Sequence, residues 1–272
     1  MRRTAGAKTG QSALLPYGQA SGSAGSARRR AARQAATRLG AACVTLLLVS
    51  ALGFGLLMLV TPSSDNAREL ASSFDRAHGA PYPGVAVPVR FATALEATED
   101  QRFNTEPGVD PFAVLRVMYG GVTRHGDQGG ATLYQQLAKM LYTPGRSSFK
   151  AEAEQLALAV KLKYTYSRPE ILRLYADVAY FGHGFYGLAD ASCGYFGVPA
   201  DRMSWPQAAL LAGLVQGPSA DDPIDHPLAA LAREQHVIGR LVAVGEISQA
   251  NADRYLQIPV ASLVAHAGGC RG

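Results

Sequence analysis

Charged side chains are scarce in this 272-residue chain: they make up 17% of it, while hydrophobic residues reach 48%. Soluble domains carry about 25% charge, so the balance excludes a wholly disordered protein and points to a part that meets lipid. Cysteine is scarcer still. Cys43, Cys193 and Cys270 form no CxxC pair and the six histidines are scattered, so no metal framework of ordinary ligand spacing is present in the sequence. Alternating β-branched stretches are few and internal repeats are not evident, which disfavours an all-β or solenoid architecture.

Acidic residues are missing altogether from residues 1–38, which hold eight basic ones and supply the whole of the +5 formal net charge. The remaining residues carry 18 basic against 21 acidic side chains. A folded surface of that balance offers no electrostatic footprint for nucleic acid. Rich in Gly, Ala, Ser and Arg and without apolar periodicity, residues 1–38 read as a basic disordered tail. Leu39–Val60 follow without a single charge, long enough to cross a hydrocarbon core of about 30 Å. Residues 39–61 are therefore read as an uncleaved transmembrane anchor. Because the positive charge precedes it, the N-terminus is expected in the cytoplasm and the rest outside. Cys43 lies in the span, which leaves Cys193 and Cys270 either as a pair in an oxidising compartment or as two separate thiols.

Beyond a polar connector with a short helical stretch (62–82), long Ala- and Leu-rich runs with 3.6-residue spacing predict a mostly α domain over 83–256, with a tail at 257–272. Helices are expected near 88–104, 110–120, 130–141, 150–165, 168–178, 184–196, 204–215, 226–244 and 246–255. In the first, steps of three and four from Ala92 reach Leu95, Glu99 and Phe103, so Glu99 lies on the apolar stripe and Asp100 off it. Two readings are open for Glu99: a carboxylate desolvated and tuned as a proton acceptor, or a glutamate at the stripe's edge reaching water. In the third, Leu133, Leu137, Met140 and Leu141 make one face, and Thr132, Gln135, Gln136 and Lys139 another. A helix opening after Gly129-Gly130 offers N–H groups and its positive end to an anion. Taken alone, such a polar face is also that of an ordinary solvated helix.

These segments recur in a fixed order. Glu99-Asp100-Gln101-Arg102-Phe103 with Gly108, Asp110 and Arg116 resembles the first motif of the peptidoglycan glycosyltransferases of glycosyltransferase family 51. Gly129-Gly130-x-Thr132-Leu133-x-Gln135-Gln136-Leu137-x-Lys139 resembles the second. Ser167-Arg168-x-Glu170-Ile171-Leu172-x-x-Tyr175 and Tyr180-Phe181-Gly182 are similar to the fourth and its sequel, and Ala208 to Leu214 with Pro218-Ser219 to the fifth. The resemblance spans about Val85 to Val244. It implies a lysozyme-like helical fold that polymerises lipid II outside the membrane, with undecaprenyl pyrophosphate as leaving group. It implies Glu99 as general base and Asp100, Phe103, Arg116, Thr132, Gln135, Gln136 and Lys139 as substrate-binding residues. Its implied partners are lipid II, the growing glycan strand, membrane lipid, and a transpeptidase or other cell-wall synthesis protein.

The chain departs from the family pattern at Glu106, Ala131, Met140 and Gln207, and most in the third motif. Counting twelve residues back from Ser167 puts Gln155 where the family has a glutamate, and Glu152 where it has a lysine. Glu154, one residue away with Lys150 a turn before it, is taken as the second catalytic carboxylate, with Lys150 and Gln155 as further candidates. No cofactor is required by this reading, which leaves room for a divalent cation such as Mg2+. A catalytically weakened relative that binds lipid II or cell-wall enzymes as a scaffold is the alternative, and a hydrolase whose carboxylate pair activates water is a third. Matches to SxxK (Ser147 to Lys150), SDN (Ser64 to Asn66) and KTG (Lys8 to Gly10) are dismissed as a penicillin-binding set, because their order is reversed and the last lies across the span from the others.

Overall fold

The computed structural model describes residues 21–103, 105, 131–264 and 270, with the backbone alone for 21–28 and 31. The chain divides into two compact units, 1–53 and 54–272. Helix α1, Ser21–Val60, occupies the described part of the first and runs on into the second. Within it Ala32–Val60 is long and apolar enough to cross a membrane, and its most apolar stretch has nothing buried in protein. Its start at Ser21 corrects the expectation of disorder through residue 38 for the part that is described. Backbone hydrogen bonds four residues apart need no apolar face, and Ala and Arg are strong helix formers.

In the second unit the described residues contain no strand; a single antiparallel bridge pairs Tyr180 with Tyr186. The helices are α2 (Ala67–His78), α3 (Val89–Glu99), α4 (Leu133–Tyr142), α5 (Phe149–Thr165) and α6 (Arg168–Val178). After them come α7 (Leu188–Phe196), α8 (Trp205–Leu214), α9 (Pro227–Ala243), α10 (Gln249–Tyr255) and α11 (Val260–Leu263). Local chemistry fixes several of their starts. Thr132, Ser148, Ser204 and Ser248 each accept an N–H of the first turn, and Ser167 with Glu170 forms a capping box, satisfying donors that have no intrahelical partner.

Helix α8 is the spine of the domain. Pro206 and all seven residues from Ala208 to Leu214 are buried, so it has no solvent face, and α3 and α9 pack against it. Gly213 lets α9 approach closely: a Cβ there would lie 3.1 Å from the Arg233 Cβ, and Arg233 Nε donates to the Gly213 carbonyl at 3.1 Å. Helices α4 and α5 form an antiparallel pair, tied at one end by Lys163 Nζ to the Tyr134 hydroxyl, 3.2 Å, and at the other by Gln155 Nε2 to Thr143 Oγ1, 2.8 Å.

Residues 62–82, expected as a connector, are built into this domain. Ala67 and Ala71 of α2 are in the core, Lys161 Nζ donates to the carbonyls of Thr61 and Pro62 at 2.7 and 2.9 Å, and the Tyr166 hydroxyl donates to those of Ser64 and Asp65. The 257–272 segment is fastened too, through buried Val260 and Leu263 and a disulfide joining Cys193 of α7 to Cys270. Of the two readings for these cysteines, the structure has the pair.

Where α2 meets α6, two carboxylates are buried together. Neither oxygen of Asp75 has a hydrogen-bond partner among the described residues, and burial, then the charge of Asp177, pushes its pKa up to about 7. Burial raises Asp177 to about 6 against the pull of the Gly84 N–H and Arg173, and burial alone takes Glu234 of α9 to about 7. Unfolded carboxylates titrate near 4. The fold thus favours the protonated forms, and the stability these groups contribute is full below about pH 4 and lost as pH rises through 6 to 7. Glu170, held down to about 2 by hydrogen bonds from Arg68 and Ser167, acts in the opposite sense only below about pH 4. The melting temperature is therefore expected to fall between pH 5 and pH 8. Asp75→Asn should flatten that slope and stabilise the protein at pH 8 by on the order of 1–3 kcal/mol; a wild-type profile flat across this range would contradict the assignment.

Candidate active site

Glu99 is the last residue of α3, and two contacts and a turn of the backbone determine where it stands. Arg240 Nε of α9 donates to the Ala97 carbonyl at 3.1 Å, satisfying one of the acceptors a helix leaves open in its last turn. Directly after Glu99 the chain leaves the helix at Asp100, φ −154°, ψ 75°. The buried Asp100 carboxylate accepts the Leu133 N–H, the first of α4, at 3.0 Å. A carboxylate on a helix N-terminus is stabilised by both the hydrogen bond and the helix dipole. The end of α3 is thereby clasped to the start of α4, and Gln136, one turn into α4, comes face to face with Glu99.

Gln136 Nε2 donates to Glu99 Oε2 at 3.0 Å, while the Tyr175 hydroxyl of α6 donates to Gln136 Oε1 at 2.8 Å. Glu99 is half-buried and Tyr175 buried. Burial, and secondarily the Glu99 charge, drives the Tyr175 phenol pKa far above its usual range, so it remains a protonated donor. The result is a carboxylate at a helix end that accepts from a neutral amide, whose own carbonyl accepts from a phenol. Such a group is suited to accept a proton from a hydroxyl brought within hydrogen-bond reach.

Several residues expected to bind substrate make structural contacts in the domain. Asp100 is buried in the clasp, because α3 ends at Glu99 rather than near 104 and helical periodicity does not govern its side chain. Phe103 is wholly buried and stacks on Tyr134, ring centroids 5.0 Å apart. Thr132 is buried as the N-cap of α4, accepting from Gln135 N at 3.2 Å. Gln135 is half-buried, and its Oε1 has no hydrogen-bond partner among the described residues. Lys139 is exposed on α4, and Arg116 lies outside the described residues.

The third-motif pair separates cleanly. Gln155 is buried and spends its amide on Thr143. Glu154 is partly exposed and flanked by cations, Arg146 at 3.0 Å and Lys150 at 3.9 Å. Lys150 itself is largely solvated, its side chain 82% exposed. Gln207, at a position where the family pattern has Glu, keeps the acceptor of a capping box: its Oε1 receives the Ser204 N–H at 2.8 Å. Sequence reasoning singled out neither Arg146, which stands in a loop outside the quoted motifs, nor Tyr175 as a site residue. The Tyr175 contact depends on the packing of α6 against α4, which no local pattern encodes.

Mg2+ calls for hard oxygen ligands in an octahedral set. Glu154 is already faced by two cations and Gln155 presents an amide engaged elsewhere, so this pair does not fit it. His183, Asp222 and Asp225 bring one ring nitrogen and two carboxylates within 4.8 Å of one another. That mixed donor set suits a transition ion better than Mg2+, and with His183 Nδ1 3.3 Å from Asp222 Oδ2 it equally makes a histidine–carboxylate pair.

A transglycosylase family model matches residues 68–242, most of the second unit. A protein of Cupriavidus necator designated a transglycosylase is 29% identical over 226 residues, which are 82% of this chain and 98% of that one. Penicillin-binding protein 1A of Neisseria flavescens is 36% identical over 165 residues, 60% of this chain and 21% of that protein. Penicillin-binding protein 2a of Streptococcus pneumoniae is 37% identical over 156 residues, 57% and 21% respectively. The matched part is thus about a fifth of either penicillin-binding relative. With its helical domain and ordered motifs, the chain belongs to the transglycosylases of glycosyltransferase family 51, the peptidoglycan glycosyltransferases of lysozyme-like fold.

Proposed function

We propose that this protein is a membrane-anchored polymerase of lipid II in which Glu99 is the general base. The Glu99 carboxylate takes the proton of the 4-hydroxyl on the acceptor's N-acetylglucosamine. The oxygen so activated bonds to C1 of N-acetylmuramic acid at the end of the growing strand. The bond from C1 to the pyrophosphate oxygen breaks, and undecaprenyl pyrophosphate departs with the electron pair. Lys139, Arg146 and Lys150 are the basic groups proposed to meet the pyrophosphate, where stabilising developing negative charge lowers the barrier. Glu154 is proposed to hold Arg146 and Lys150 in place. Membrane lipid surrounds the charge-free part of α1, the N-terminus is cytoplasmic, and the second unit works outside, where a transpeptidase or another cell-wall enzyme would use the strand.

The observation that carries this reading is the Gln136 amide on Glu99 Oε2: two motifs 37 residues apart in sequence converge on the carboxylate that the chemistry needs. The scaffold reading has one observation in its favour, since Gln155 supplies no second carboxylate where the family pattern expects one and is buried in a structural bond.

Glu99→Gln keeps shape and hydrogen bonding but cannot accept the proton, so polymerisation of labelled lipid II should fall by about 10²-fold or more in a protein that still folds. Parent-level activity in that variant would end the proposal. The third motif is tested by a pair of changes. Glu154→Gln should lose most activity at unchanged melting temperature, while Gln155→Ala should chiefly destabilise, by about 1–2 kcal/mol, as it strands a buried partner; the reverse pattern would make Gln155 the functional residue. Orientation is read with a reporter fused after Gly272, expected to be active only if it is one that works outside the cytoplasm.

A further inference from the structure

Glu99 accepts from Gln136, and Gln136 in turn accepts from Tyr175. A glutamine side chain is nearly symmetric in shape, and its amide can present either the carbonyl or the NH2 to a neighbour. Facing an ionised carboxylate, the carbonyl would set lone pairs against lone pairs, whereas the NH2 donates. The Gln136 amide is turned the productive way, with Nε2 on Glu99 Oε2 at 3.0 Å, which leaves Oε1 pointing into the protein. A carbonyl oxygen buried without a donor costs about 1–3 kcal/mol. Here it has one: the Tyr175 hydroxyl at 2.8 Å, from a side chain 2% exposed on α6. The second acceptor within reach of Gln136 Nε2, the Ala131 carbonyl at 3.4 Å, fits the same amide orientation.

We infer that Tyr175 is a positioning residue for the glycosyl transfer: by donating to Gln136 Oε1 it locks the amide with its NH2 toward Glu99, engages Oε2, and fixes the rotamer in which the carboxylate receives the proton. This rests on Glu99 being the base. Tyr175 itself reaches the reacting atoms only through Gln136, and removal of its hydroxyl leaves Gln136 Oε1 without its donor. An amide held at one end only is free to shift, and the Glu99 carboxylate that accepts from Nε2 shifts with it. Because the Tyr175 side chain is buried, a phenyl ring fills the same space, and the change deletes one hydrogen bond and little packing.

The test is a double-mutant cycle in full-length, detergent-solubilised protein, with kcat and KM for labelled lipid II measured in the parent, Tyr175→Phe, Gln136→Ala and the double variant, and melting temperature recorded for each. Tyr175→Phe should lower kcat about 3- to 10-fold, the span set by the loss of one hydrogen bond, with KM within about twofold and the fold retained. In the Gln136→Ala background the same change should have no further effect on kcat, because the group it acts through is gone. Parent kcat in Tyr175→Phe, losses that multiply independently in the double variant, or a loss of rate matched by a loss of folded protein would each overturn the inference. Glu99→Gln separates this from the larger reading: if it is inactive while Tyr175→Phe is not impaired, only the role of Tyr175 fails, and if it retains the parent rate the assignment of the base fails with it.

Discussion

The hydrogen bond from the Leu133 amide to the Asp100 carboxylate is the contact on which the site depends. It joins the end of one helix to the start of another across 33 residues of sequence, and it does so with a charged acceptor on a positive helix end, which makes it worth more than an ordinary neutral bond, about 1.5–3 kcal/mol. Its position is as consequential as its strength. Glu99 is the residue before Asp100, and Gln136 lies three residues beyond Leu133, so closing the clasp sets the two facing each other. Arg240 on the Ala97 carbonyl holds α3 from one side, and Tyr175 holds Gln136 from another.

All of this stands on rigid elements. Helices α3 and α9 pack on α8, which lacks any solvent-facing side, and α4 is paired along its length with α5. Side chains placed by packed helices keep tighter geometry than side chains on loops. Elsewhere the same domain contains features that weaken it at neutral pH, chiefly Asp75 and Glu234, buried with no hydrogen-bond partner among the described residues. They lie on α2 and α9, beside the helices that carry Glu99 and Gln136.

Much of the architecture was legible because helices declare themselves by period. The charge-free span, the Ala- and Leu-rich helices and Glu99 on its semi-apolar face could all be read from spacing. What spacing could not place lies where period ceases to apply. Asp100 and Phe103 follow the last turn of α3, and there the side chains answer to tertiary partners: one to the N-terminus of α4, the other to Tyr134. Thr132 looked like one more polar residue on a binding face, but a threonine before a helix is first an N-cap. Residues 62–82 are polar in composition, and only contacts with α5 and α6 show that they belong to the domain. Gln155 and Glu154 point about 100° apart by helical geometry, which sequence alone could state but not orient; burial puts the amide inside and leaves the carboxylate with Arg146 and Lys150.

The central claim is that this set of helix ends performs glycosyl transfer and does more than bind the substrate. The direct measurement is incubation of the full-length protein in detergent with labelled lipid II, followed by electrophoresis of the products with and without a muramidase. The account expects a ladder of glycan strands that the muramidase collapses. Intact lipid II after prolonged incubation with folded protein, bound or unbound, would contradict it.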